Sequence, residues 1–179
     1  PNIALALGAA LGDMALMWKA TKTTIAGITL ALMLSMILGF IYPFNLDSHE
    51  LMARTDVGLG SIVLALASGA AAVVSLTTGL ASVLVGVMVA VALLPPTATL
   101  GLMIGVGQPK LAVGAALLLG VNIVSVNLAA KVVFWFRGVK PRSWLEKRKA
   151  NQSMVTYIFI WAISLIMLLV VIFIRKGLI

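Results

Sequence analysis

The pair Pro95-Pro96, with hydroxyls beside it on Thr97 and Thr99, is the constellation in this chain best suited to chemistry. Neither proline nitrogen can donate to the carbonyls of Val91 and Ala92, and each ring clashes with the preceding turn. Leu94, directly before a proline, is also pushed away from helical geometry. The spacing therefore predicts a broken helix with two ends facing each other. Carbonyls and partial negative charge gather near Leu93, and free amides with partial positive charge gather at residues 96–99. In a membrane, a break of this kind survives only when buried in protein or lining a watery cavity. Discontinuous helices form ion and substrate sites in transporters. The alternative is a structural kink whose freed groups are capped by a neighbouring helix.

Two other polar groups belong to the same chemistry. Ser68-Gly69 falls in the middle of the preceding apolar segment, at a depth comparable to the prolines, where it either lines the same cavity or serves helix packing. Asn122 and Ser125 share one helix face at i, i+3, and Asn127 and Lys131 share another at i, i+4. Amides rarely face lipid, so at least one of these faces points to protein or water, as a lining or in interhelical hydrogen bonds. Lys131 lies near a span end and is expected to snorkel. Asp13 stands beside Trp18 and Lys19, which favours an interfacial position over an intramembrane carboxylate. Asp47, His49 and Glu50 lack zinc spacing and predict no metal site. No Ser/His/acid set, phosphate loop or paired intramembrane carboxylates exist, so neither enzyme chemistry nor a cofactor is expected.

The elements that must hold these residues are membrane helices. Between Asp56 and Lys110 the chain runs for 53 residues, 57–109, without a charged side chain. A single helix of that length would be about 80 Å long, against a hydrocarbon core of about 30 Å, so the run crosses at least twice. Thr77-Thr78-Gly79 is the most economical reversal. Of 179 residues 62% are hydrophobic and 10% charged, with a mean hydropathy of +1.16. Soluble domains carry about 25% charged residues. The class is all-α: a polytopic helical membrane protein with about six hydrophobic segments and a Pro-Pro-broken fourth span. The segments are Pro1–Trp18 (incomplete), Thr24–Tyr42, Leu59–Thr78, Leu80–Val106, Leu111–Phe136 and Met154–Ile174. The absence of Met at position 1 is read as a fragment or processed product whose first span begins upstream.

Charge assigns the sides. The 43–57 loop is net acidic, and six of the thirteen Lys and Arg lie between Arg137 and Lys149. The positive-inside bias puts Lys19, Lys22 and the 137–153 loop in the cytoplasm, provided that the proline-bearing span crosses fully and is not re-entrant. The net charge of +8 is thus a topology signal; nucleic acid is not an expected partner, although anionic lipid at 137–149 is a possible one. Asn151 to Ser153 matches a glycosylation acceptor, idle on that side. Trp18, Tyr42, Trp135 and Trp144 fall near span ends, as interfacial aromatic residues do. Small residues at four-residue spacing, such as Ala65/Gly69, Ser82/Gly86 and Gly101/Gly105, predict close packing and a homo-oligomer. Without cysteine there is no disulfide, thiol catalysis or thiolate metal site.

The stretch from Gly86 through Leu93-Leu94-Pro95-Pro96-Thr97-Ala98-Thr99 to Leu102 resembles a prokaryotic membrane family, domain of unknown function 389. So do Leu111 to Ala129, with Asn122 and Ser125, Leu46-Asp47 and Met52-Ala53-Arg54-Thr55, and Ala67-Ser68-Gly69-Ala70-Ala71. The resemblance covers about residues 1–137. It implies a multi-span prokaryotic inner-membrane protein, and it gives none of these residues a role.

The resulting organisation is a core over 1–137, a basic loop at 138–153 and a final membrane helix at 154–179. The expected function is a transporter or channel-like protein of a bacterial inner membrane. It would bind a small solute or ion at Ser68, Gly69, Pro95, Pro96, Thr97, Thr99, Asn122 and Ser125. The alternative is a membrane anchor or assembly module in which the prolines serve shape alone.

Overall fold

Long apolar runs have no water to satisfy their backbones in lipid, and the helix satisfies them internally. The computed structural model describes residues 2–42, 48–79, 82–139 and 144–177, and these form helices joined by short turns. The elements are α1 (Asn2–Leu11), α2 (Met14–Ile41), the short α3 (His49–Ala53), α4 (Leu59–Thr77), α5 (Ser82–Gly105), α6 (Pro109–Phe136) and α7 (Trp144–Gly177). Among the described residues four stretches are long and apolar enough to cross a membrane: Met14–Ile41, Leu59–Thr77, Pro109–Phe136 and Met154–Gly177. Asn2–Leu11 and Val89–Gly105 are shorter apolar helices. The all-helical membrane class holds, while a count of six spans does not follow.

Three boundaries differ from the sequence expectation. The first segment does not run on to Trp18: it stops at Gly12 and α2 restarts at Met14. Gly12 takes φ 68°, and Asp13 N–H closes the turn on the Gly8 carbonyl at 2.8 Å, the αL stop that glycine adopts without a Cβ penalty. Asp13 is then the N-cap of α2, its carboxylate accepting from Leu16 N–H at 2.9 Å, with Lys19 and Lys22 inside the helix. At the far end, α7 begins at Trp144 and so takes in much of the basic 137–153 loop. Residues 140–143 and Asp47 lie outside the described residues, as do the side chains of 144–153, on which the anionic-lipid and glycosylation readings fall.

The third difference concerns Pro95 and Pro96, which leave α5 helical from Ser82 to Gly105. The expected break is not an interruption of the helix, and α5 runs from one end of the bundle to the other instead of folding back. The reversal before it does occur where expected. Thr78 caps α4 and Gly79 takes φ 83°.

Helix α6 is the centre of the bundle, with 56% of its most apolar window buried against 11% for α2. It packs against α1, α4, α5 and α7, while α2 lies along α5. One cluster joins α1 (Ile3, Ala6, Ala9, Ala10) to Ala72 and Val73 of α4, Ala130 and Phe134 of α6 and Met154 of α7. A second, at the opposite end, joins Val57, Ile62, Leu118, Val121 and Ile172. At that end the tail of α7 is tied down, Lys176 pairing with Asp56 at 2.9 Å and Arg175 donating to the Lys110 carbonyl at 2.8 Å.

Helices α2 and α5 run parallel. A Cβ on Gly101 would strike Ser35 Oγ, and one on Gly105 would lie 2.8 Å from Gly39 Cα. A Cβ on Gly69 would likewise lie 2.8 Å from Val126 Cα of α6. Gly69, Gly101 and Gly105 thus build close contacts inside the chain.

Candidate solute site beside the proline-bearing helix

The prolines' electronic consequence is visible in one bond. The Ala92 carbonyl, which Pro96 cannot serve, accepts from Asn122 Nδ2 of α6 at 2.8 Å. Thr97 Oγ1 donates to the Leu93 carbonyl at 2.7 Å, one turn back. A helix can hold two consecutive prolines when a neighbour supplies the missing donor. The capped kink, weighed against a break from the sequence, is the arrangement present at Ala92.

Beside that bond lies a cavity of about 370 Å³. Ser61, Leu64, Ala65 and Ser68 of α4 form one wall, Val91 and Ala92 of α5 the other, and Leu118 and Asn122 of α6 the floor. Ala53 and Arg54, from the turn ending α3, stand at its rim. Val91 and Ala92 are the two residues whose carbonyls the prolines leave without a helical donor. Ser68 Oγ donates to the Leu64 carbonyl at 2.7 Å, and Asn122 has committed an amide hydrogen to Ala92. The two side chains still offer the cavity acceptor oxygen, and Asn122 one further amide hydrogen. Arg54 Nη2 pairs with Glu50 Oε1 at 2.8 Å, while its Nε is buried without a partner. That hydrogen bond, and the guanidinium charge behind it, hold the Glu50 carboxyl below its ordinary range.

The expected site residues are thus only partly gathered. Ser68 and Asn122 reach one cavity with the backbone just before Pro95. Gly69 is turned onto α6. Thr97 and Thr99 are buried, 1% and 3% exposed, and Thr97 lines a different cavity, toward α2. Ser125 is fully buried, its Oγ without a partner, and does not line the cavity with Asn122.

With this geometry in place, comparison with known proteins gives a family. A domain of unknown function, number 389, matches residues 1–128. The chain belongs to this family. An uncharacterized protein of Methanocaldococcus jannaschii is 37% identical over 172 residues, which cover 96% of this chain and 54% of the relative. The chain therefore spans about half the length of that curated relative. No solved structure matches the chain. Within the region matched by the family fall Ser68, the proline pair and Asn122, and also Arg54 at the rim, which sequence reasoning left unassigned. Its signal was available in part: Glu50 and Arg54 are an i, i+4 pair.

Lys131 lies just beyond the family match and does not snorkel. It is 1% exposed, with Nζ donating to Asn127 Oδ1 at 3.3 Å and lying 4.8 Å from the centre of the Trp161 ring. The apolar stem and the ring of α7 hold the ammonium inside. A buried ammonium without a carboxylate partner among the described residues is weak support for stability. Lys131→Met is expected to leave unfolding in mixed micelles within about 1 kcal/mol of the parent, or to raise stability. Trp161→Ala, which keeps the ammonium and removes its ring, should lower stability by about 3 kcal/mol or more.

Proposed function

We propose that this protein is a non-enzymatic membrane transporter or channel, binding a small solute or ion in the cavity between α4, α5 and α6. One observation carries this reading. Ser68, Asn122 and the two residues deprived of helical donors, Val91 and Ala92, converge on one space large enough for a small molecule. Polar side chains and proline-weakened backbone at membrane depth are costly unless they serve a cavity or pathway. Arg54 at the rim favours an end of the cavity open to water. On this reading the rim lies outside and residues 137–153 lie in the cytoplasm of a bacterial inner membrane, which the positive-inside bias of the loops supports.

The Asn122 bond to Ala92 favours a second reading, a membrane anchor whose prolines only shape α5. The two differ in whether water reaches the cavity. Since the chain has no cysteine, Ser68→Cys would be its only thiol. In sealed vesicles a membrane-impermeant maleimide is expected to label Ser68→Cys from the Arg54 side. Val63→Cys, on an exposed apolar face of α4, should stay unlabelled. Equal silence at both positions in folded protein would replace the transport reading with the anchor.

A further inference from the structure

A second cavity, of about 220 Å³, lies on the other side of α5, between it and α2. Its apolar lining comes from Ile28 and Ala31 of α2 and Val89, Ala90, Leu93 and Leu94 of α5. Among the described residues the polar groups are four, Asn2 of α1, Thr23 and Thr24 of α2, and Thr97 of α5, and no charged side chain lines it.

The hydrogen-bonding state of those four groups specifies a ligand. Thr23 Oγ1 and Thr24 Oγ1 donate to the carbonyls of Lys19 and Ala20, both at 2.9 Å. Thr97 Oγ1 donates to Leu93. All three hydroxyl protons are committed, and what remains on the oxygens is lone pairs. Asn2 is 2% exposed, and its Nδ2 has no partner. A buried amide donor left unpaired costs about 1–3 kcal/mol, which a ligand acceptor would recover.

We propose that this cavity binds the end of a small uncharged amphiphile bearing an acyl carbonyl. The carbonyl oxygen accepts from Asn2 Nδ2, and the apolar body lies between Ile28, Ala31, Val89 and Leu93. A hydroxyl or amide N–H next to the carbonyl is met by the threonine lone pairs. Charged ligands are excluded, because nothing in the lining compensates a charge taken out of water. The volume limits the bound part to about ten non-hydrogen atoms, since a cavity of about 150 Å³ holds benzene. Gly27 of α2 and Gly86 of α5 are exposed, and nothing lies within 4 Å of a Cβ built on either. They leave a mouth between the two helices. This site is independent of the solute reading for the α4–α6 cavity.

The acyl carbonyl has two sources, a free carboxamide and the ester of a neutral membrane lipid. The test uses three photoactivatable diazirine probes on the full chain in proteoliposomes: a six-carbon primary amide, a diacylglycerol tagged near its ester, and an alkane of matched length. Labelled residues are read by mass spectrometry. Amide or diacylglycerol labelling confined to residues 23–31 and 86–97 is expected, and the probe that gives it identifies the source. Asn2→Leu, which removes the donor, should lower that labelling about tenfold. Gly27→Leu, which fills the mouth at an uncrowded position, should do the same with folding intact. Alkane labelling equal to that of the carbonyl probes, or labelling that neither variant reduces, would overturn the proposal.

Discussion

Asn122→Leu is expected to lower the stability of the folded protein by about 2 kcal/mol, and Pro96→Ala in the same chain to restore most of it. The leucine leaves the Ala92 carbonyl facing apolar surroundings with no donor. An alanine at position 96 returns a backbone N–H to that carbonyl, through the i to i−4 bond that proline forbids. In the parent, Pro96→Ala makes the two donors compete for one acceptor, so its own effect is smaller than the removal of a helical proline suggests. The four proteins form a double-mutant cycle, with an expected coupling of about 1–2 kcal/mol. Unfolding in mixed micelles measures it. Strict additivity would mean that Asn122 does not compensate the proline, and the account of why α5 stays helical would fail.

The second large effect compares one substitution at two kinds of site. Gly101→Ala and Gly105→Ala are each expected to cost about 1–3 kcal/mol by overpacking. At Gly101 the new methyl meets Ser35 Oγ and comes within 2.6 Å of the Leu32 carbonyl oxygen. At Gly105 it meets the Gly39 backbone. Side chains can rotate away but these backbone atoms cannot, so α2 and α5 must separate. Gly27→Ala and Gly60→Ala, with nothing within 4 Å, should instead gain up to about 1 kcal/mol from helix propensity. Opposite signs for the same methyl, read from unfolding midpoints, identify the α2–α5 contact as the cause. A uniform shift at all four positions would remove that explanation.

Much of this architecture was legible from composition. The uncharged stretch 57–109, the Thr77–Gly79 reversal and the acidic and basic loops lead to a helical membrane bundle, and Ser68 and Asn122 do share a cavity. What stayed hidden depends on non-local register. The donor for the Ala92 carbonyl stands 30 residues away, and no spacing within α5 reveals it. Lys131 sits near a span end, where a lysine ordinarily reaches for water; its ring partner arrives from α7. The boundary at Gly12-Asp13 was readable as a glycine stop followed by an N-cap, but the lysines at 19 and 22 drew the boundary too late. Trp144 to Lys149 is rich in charge and reads as a loop, although Leu, Glu, Lys and Arg are good helix formers.

The parallel pairing of α2 with α5 has a consequence for how the protein is made. Neighbouring helices such as α5 and α6 can meet as soon as the second leaves the ribosome, whereas Gly39 must wait for Gly105, 66 residues later. Until then the Ser35–Gly39 face of α2 has only lipid to cover it. Non-local contacts of this kind form slowly and leave intermediates exposed. The close α2–α5 contact is thus made only after α4 and α5 have both been synthesised, and until then that face of α2 stays in the membrane without its partner.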